Sequence, residues 1–533
     1  LGRPRGQRPG KLPMRSLSPY GEVYEASVDP AAEDRKVRDF VAHGSGQSQR
    51  RTVAVMGMGF VGSAMLAALA NARQVTRQGA RQDTRQNEAP LYNVLGVDLA
   101  DERNYWKIAR ANAGRSPIAS SDAAMEQAFA EGLRQGNLLA TSSPAAYELA
   151  DVIVVDIHLD AEKEPAGAYE VRLEGFSASL AAVAERVRPG TLVVLETTVP
   201  PGTTEAVVRP LFAEVLGKRG LDPQSVHLGY SYERVMPGPG YLRSVTDFYR
   251  VYSGVGDAAK RALREFLESF INTRDFPLSE VHSTTACEMG KVLENSFRAA
   301  NIAFIEEWTE FASRAGVNLF EVIQAIRVRP THRNIMLPGF GVGGYCLTKD
   351  ALLADWANRN LFGSPAPLGV SLEAVAINDR MPEFTFALLE DALDGVAGRE
   401  IALLGVSYLN DVADTRFSPA AVFYDRCVAN GARVHLFDAL VRTWSEKGLP
   451  VETDVEGLKQ LDLDAVVLAV RHGAYLAWTP EEAAALFARV RVVVDANDVL
   501  AEAAAAALRA RGKTVLGVGK GHWGRFDRKP EVR

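Results

Sequence analysis

The sequence predicts an α/β protein built from two Rossmann-like domains joined by a central helical segment. Three observations carry that prediction. TVAVMGMGFVGSAMLAALA, residues 52–70, sets a short β-rich run, a glycine turn and an alanine-rich helix former in succession, the opening of a βαβ unit. IALLGVS, ARVHLFD, DAVVLAV and RVVVDAND, all beyond Arg399, repeat the pattern of short buried strands between helical stretches. Between the two, VHSTTACEMGKVLENSFRAANIAFIEEWTEFASRAGV lacks strand signals and keeps a long helical apolar period.

Along the chain, residues 1–50 open LGRPRGQRPGKLPMR and show no sustained periodicity, so a mobile arm is expected there. The first domain spans 51–265, with NVLGVDL, DVIVVDI and TLVVLETT as further parallel strands and FSASLAAVAERV as a covering helix. Within it, RQVTRQGARQDTRQNE repeats Arg73, Arg77, Arg81 and Arg85 every four residues, which on a helix makes one basic, solvated stripe. The central segment spans 266–390 and adds a second helix at LEAVAINDRMPEFTFALLEDAL; the second α/β domain spans 391–525.

A chain of 533 residues exceeds what one core serves, and 47% hydrophobic with 24% charged residues is globular composition. The net charge of −6, with no dominant basic face, leaves no electrostatic case for nucleic acid. Cys287, Cys346 and Cys427 are odd in number and lack CxxC pairing, so neither a disulfide framework nor a metal site is expected, and a reducing cytoplasm fits. No apolar run approaches the ~18 residues of a membrane span.

Gly57, Gly59 and Gly62 form GxGxxG directly between strand and helix, which lets backbone approach a pyrophosphate at the helix N-terminus. Asp98, closing NVLGVDL, can accept from a ribose diol, and its charge repels the extra phosphate of NADP, so NAD is the expected cofactor. In GVGGYCLTKD, residues 341–350, small neighbours give Cys346 room to attack a carbonyl carbon. NAD oxidation combined with a thiol implies aldehyde chemistry through a thioester. TVPPGTT (Thr198–Thr204) and YERVMPG (Tyr232–Gly238) each follow a strand, at the sheet edge where ligands bind, and Lys291 and Asn295 lie at i and i+4 on one helix face.

The order GMGFVG, ETTVPPGTT, YERVMPG, KVLEN, GFGVGGYCLTKD and TRFSPA resembles the nucleotide-sugar 6-dehydrogenase family, the UDP-glucose/GDP-mannose dehydrogenases, over roughly residues 52–524. The resemblance implies oxidation of a sugar C6 hydroxyl to a carboxylate with two NAD per turnover, with no metal. It implies that Cys346 carries the thiohemiacetal and thioester, that Lys291 stabilises oxyanion charge, and that Asn295 contacts the sugar. Asp350 and Thr198 match residues that position water, and Glu233 matches the glutamate of thioester hydrolysis. Phe60, Val61 and Lys349 join the glycines and Asp98 on the cofactor side; Arg234, Arg333, Gly343 and Arg416 fall on the substrate side. Leu409 and Ala496 stand where relatives carry cations for the nucleotide end, and DIHLD replaces a Thr-Pro element. The implied substrate is a UDP-hexose or UDP-N-acetylhexosamine, with proline in ERVMPG leaning to the latter; the implied assembly is a homodimer or larger. Two alternatives stand beside it: a two-electron dehydrogenase stopping at an aldehyde, and an idle sugar-nucleotide-binding homologue.

Overall fold

The structure is a computed structural model describing residues 14–26, 28–45, 50–73, 89–118, 120, 122–163, 168–236 and 238–524. It divides into two units, the first ending at Glu162 and resuming over Glu170–Lys291, the second holding Lys163–Tyr169 and everything from Val292.

The first unit is built on an eight-stranded sheet. Its strands lie in the order Ser279–Glu280, Val251–Gly254, His227–Tyr232, Leu192–Leu195, Val152–Val155, Arg51–Met56, Tyr92–Val97 and Leu138–Thr141. All neighbours are parallel except His227–Tyr232 with Val251–Gly254. Alternation along one strand splits the core between two faces: Val53 and Val55 pack with Leu66, Phe129 and Phe266, while Ala54 and Met56 pack with Val183, Phe212 and Tyr230. The strand order reverses at Arg51–Met56, between the strands beginning at Tyr92 and Val152, and there the glycine turn opens at the carboxyl ends.

Residues 14–26 and 28–45, expected within a mobile arm, instead form a hairpin, Met14–Leu17 with Val23–Ala26, and a helix, Pro30–Ser45. Val37 is fully buried in the first unit's core, with Phe40 and Val41 against it. The arginine stripe falls outside the described residues except for Arg73, whose guanidinium donates to Ala70 O and Ala72 O. The first sheet also runs past the expected boundary at 265, ending at Glu280.

The second unit contains a five-stranded, wholly parallel sheet in the order Arg433–Phe437, Glu400–Leu404, Ala465–Leu468, Val492–Asp495 and Thr514–Gly517. This is the 2-1-3-4-5 doubly wound order, with its crevice outside the ends of the Glu400 and Ala465 strands. Both sheets share a device. Asp98 accepts from Met58 N–H (3.0 Å), and Asp438 accepts from Val406 N–H (2.8 Å) and Ser407 N–H (3.2 Å), so a carboxylate after the second strand ties down the turn after the first. Four helices precede the second sheet: Thr284–Ala315, which starts in the first unit, Leu319–Arg327, Cys346–Asn360 and Gly369–Leu393. Among the described residues, no helix is long and apolar enough to cross a membrane.

Candidate active site

The glycine turn is closed by contact. Gly57 has φ +95°, and a Cβ there would lie 2.5 Å from Asp156 O; a Cβ on Gly62 would lie 1.9 Å from Gly57 O. Gly59, at the start of helix Phe60–Ala70, has nothing within 4 Å of a Cβ, so its face is open to a ligand. Phe60 and Val61 pack partly buried against the core. Asp98 also takes Lys107 Nζ at 3.1 Å, a partner invisible to motif reading. Turn, open glycine and terminal carboxylate fit a dinucleotide laid across the switch point.

Next along the carboxyl edge of the same sheet stand Asp156, Glu196 and Glu233. Glu196 pairs with buried Arg250 at 2.9 Å. Burial, reinforced by the charges of Glu196 and Glu233, pushes the Asp156 carboxyl well up and favours its neutral form. Asp156 is the first residue of the DIHLD element, so the departure from the expected Thr-Pro places an extra acid beneath the glycine turn. Glu233 is nearly buried, and Lys291 Nζ donates to its carbonyl (3.0 Å) and reaches its Oε1 at 3.3 Å. Lys291 also lies 5.7 Å from the centroid of Tyr232, whose ring carries Arg234 at 5.1 Å. Arg234, expected on the substrate side, donates to Tyr249 O (2.9 Å). Thr198 stands half-buried in the loop after strand Leu192–Leu195.

Sequence reasoning missed Glu288, one turn before Lys291. It is fully buried and accepts from Gly202 N–H (2.6 Å), Thr204 N–H (2.9 Å) and Thr204 Oγ1 (2.6 Å), fastening the Thr198–Thr204 loop to the helix that bears Lys291. Burial pushes its carboxyl from 4.5 up to about 7. Because the folded state holds this proton more tightly than the unfolded chain, the group's stabilising contribution is complete below about 4.5 and is lost as pH rises through about 7. The unfolding free energy of the wild type, read by chemical denaturation, is therefore expected to fall as pH rises across that window, and Glu288→Gln to flatten the fall; an unchanged slope in the variant refutes the assignment.

In the second unit, Cys346 is the first residue of helix Cys346–Asn360 and the sole exposed thiol among the three. Unpaired N–H groups in a helix's first turn stabilise negative charge, which suits a thiolate. Cys287 and Cys427 are buried, and burial pushes both thiols up to about 12. The glycines before Cys346 serve close packing: a Cβ on Gly343 would meet Phe417 O at 2.7 Å and Tyr408 Cβ at 2.8 Å, and Gly344, at φ +77°, lies equally tight on the Tyr408 ring. Behind the thiol, Asp350 is buried, accepts from Asn295 Nδ2 at 2.6 Å and lies 3.5 Å from Lys349 Nζ. Lys349, expected on the cofactor side, is thus engaged with Asp350. Arg416 pairs with Asp414 (2.6 Å) and lies over Tyr345 at 4.9 Å, while Arg333 is exposed after a short turn of helix.

A cavity of about 300 Å³ opens in the second unit, its lining including Arg327, Asn410, Arg471, Asn497 and Asp498, with apolar walls from Phe320 and Met381. Ala496, taken as the position of a lost cation, is fully buried in the core; Asn497, one residue on, lines the cavity.

Glycine turns of this geometry hold dinucleotides, and with a solvent-facing thiol in the second unit the class is a nicotinamide-dependent dehydrogenase. Comparison with known proteins sharpens this. Sequence models of the UDP-glucose/GDP-mannose dehydrogenase family match residues 51–269 as its NAD binding domain, 285–379 as its central domain and 402–502 as its UDP binding domain. A UDP-N-acetyl-D-mannosamine dehydrogenase of Pyrococcus horikoshii is 30% identical over 457 residues, 84% of this chain and 96% of that protein. An NDP-N-acetyl-D-galactosaminuronic acid dehydrogenase of Ralstonia nicotianae is 29% identical over 375 residues, 69% of this chain and 78% of that protein. Among solved structures, the UDP-D-ManNAc dehydrogenase of P. horikoshii superposes with a TM-score of 0.73 at 26% identity, covering 88% of this chain and all of that one. The chain belongs to the UDP-glucose/GDP-mannose dehydrogenase family and is an NAD-dependent nucleotide-sugar dehydrogenase.

Proposed function

We propose that the protein oxidises the C6 hydroxyl of a UDP-N-acetylhexosamine to the uronic acid in two hydride transfers, through a thiohemiacetal and a thioester on Cys346. The observation that carries this reading is the exposed thiol at the head of a helix, backed by the Asn295–Asp350–Lys349 network around buried Asp350. The names of the relatives support the N-acetylhexosamine class, as does the proline in ERVMPG.

NAD, when bound, accepts hydride from the sugar carbon in each of the two oxidations. The first leaves an aldehyde and releases the hydroxyl proton. Cys346 Sγ then adds to the aldehyde carbon as the carbonyl oxygen takes a proton, and loss of a second hydride and that proton leaves a thioester. Water attacks the thioester carbon, the C–S bond breaks, sulfur regains a proton and the acid departs as its carboxylate. In this scheme Lys291 stabilises the oxyanion of each tetrahedral species, and Glu233, Asp350 and Thr198 orient and deprotonate water. The cavity lined by Arg327, Arg471 and Asn497 takes the nucleotide end, the two guanidiniums replacing the cation missing at Leu409.

The test is stoichiometric. Purified protein with NAD and UDP-N-acetylmannosamine is expected to form two NADH per sugar and a product heavier by one oxygen and lighter by two hydrogens; one NADH per sugar with an aldehyde product refutes the thioester route. Helix Thr284–Ala315 exposes Leu293, Phe297, Phe304, Trp308 and Phe311, an apolar row that supports a homodimer, checked by light scattering on the same preparation.

A further inference from the structure

Residues 14–45 precede the family's matched span, which starts at residue 51, yet they are built into the cofactor unit at two places. The hairpin sits on the helix Tyr105–Asn112 that follows the second strand. Ser16 Oγ donates to Glu102 O (2.8 Å) and accepts from Trp106 N–H (3.1 Å); the Tyr20 ring stands edge-on to Trp106, with the Arg110 guanidinium 4.9 Å from its centroid. Arg110 is buried and ion-pairs with Glu22. The helix Pro30–Ser45 is held by buried Val37 and by the Arg38–Glu148 pair at 2.8 Å.

The first turn of that helix lies at the carboxyl end of strand Leu138–Thr141. Thr141 Oγ1 donates to Glu33 Oε2 at 2.8 Å, and Ser143 Oγ donates to Asp34. The carbonyl of the same Thr141 accepts Asp98 N–H at 3.2 Å. Glu33 is therefore hung from the residue that holds the backbone of the ribose-reading aspartate, and burial, reinforced by the Glu33 charge, pushes the Tyr105 phenol up.

That placement matters because Asp98 does not act as a bare charge. Lys107 lies 3.1 Å from its carboxylate, so the pair is close to neutral at range and repels a 2′-phosphate only weakly. A second carboxylate nearby restores the negative sign. Lys36 faces Glu33 at 3.7 Å but is 44% exposed, and Asp34, held by Ser143 in the same helical turn, adds to the acidic side.

We infer that the N-terminal hairpin and helix complete the adenosine end of the dinucleotide site, and that Glu33 is a specificity residue that excludes a 2′-phosphorylated cofactor. Glu33→Gln keeps an acceptor for Thr141 Oγ1 and removes only the charge. In calorimetric titrations of the full chain, the variant is expected to bind NADP about threefold or more tighter at low salt, with NAD unchanged within about twofold and the gain shrinking as salt rises. Glu33→Lys is expected to move the NADP-to-NAD ratio further the same way. An unchanged ratio in both variants, or a parallel loss for both cofactors, overturns the inference and leaves Glu33 a structural tether. The readout is binding of the cofactor alone, so the outcome is separate from that of the sugar chemistry proposed above.

Discussion

Cys346→Ser is expected to lower net acid formation by about a thousandfold or more, the scale on which removal of a covalent nucleophile is felt. Serine keeps the shape, but its hydroxyl lacks a thiol's ready ionisation and forms a hemiacetal that yields a poorer acyl leaving group. The first hydride transfer does not use the sulfur, so a burst of no more than one NADH per site is expected, followed by a stall. Rapid-mixing fluorescence of NADH with mass analysis of the product reads both. The exposure of this thiol makes the effect specific: Cys287→Ser and Cys427→Ser alter buried thiols that take part in no proposed step, and iodoacetamide at neutral pH is expected to label Cys346 ahead of both. Acid formation by Cys346→Ser within tenfold of wild type removes the covalent mechanism altogether.

The fold was legible where a residue's role follows from local pattern. Short β-branched runs such as Val152–Val155 and Val492–Val494 are buried on both faces, so they appear in sequence as unbroken apolar blocks, and GxGxxG between strand and helix has few other physical uses. What escaped was set by partners distant in sequence. Glu288 reads as an ordinary helical glutamate until the loop Gly202–Thr204 is laid across it. Asp98 reads as a free acid until Lys107, nine residues further on in helix Tyr105–Asn112, is found against it. The N-terminal segment was hidden by its charge: PAAEDRKVRDFVAHGS spaces Val37, Phe40 and Val41 as a helix face requires, but three large apolar residues among seven charged or histidine positions make a weak signal beside the arginine-rich start. The misplacement of Ala496 is a matter of one residue. Strand Val492–Asp495 alternates its side chains, so Ala496 turns into the core and Asn497 toward the cavity.

Gly62→Ala is expected to cost both cofactor and stability, whereas Gly59→Ala should cost cofactor alone, and the pair separates two reasons for glycine in one motif. At Gly62 the helical backbone suits any residue, so conformational strain is not the issue; the added Cβ would sit 1.9 Å from Gly57 O and 3.0 Å from Gly57 C, both backbone atoms of a turn that cannot retreat. Gly57 is itself pinned, since a Cβ there would lie 2.5 Å from Asp156 O, just beyond strand Val152–Val155 in the middle of the sheet. Displacement therefore propagates into the floor of the dinucleotide site. A loss of about 1–3 kcal/mol in unfolding free energy follows, the usual range for overpacking. NAD binding is expected to weaken by about a hundredfold, because the turn that presents backbone N–H groups to the pyrophosphate is the part displaced. A Cβ on Gly59 meets nothing within 4 Å, so Gly59→Ala is expected to melt with the wild type and lose only the close approach of the ligand. Thermal unfolding and calorimetric NAD titration on the two variants decide it: equal melting of Gly62→Ala and wild type would mean that the turn opens without cost, and the tight contact of strand, turn and helix would not be what shapes the cofactor site.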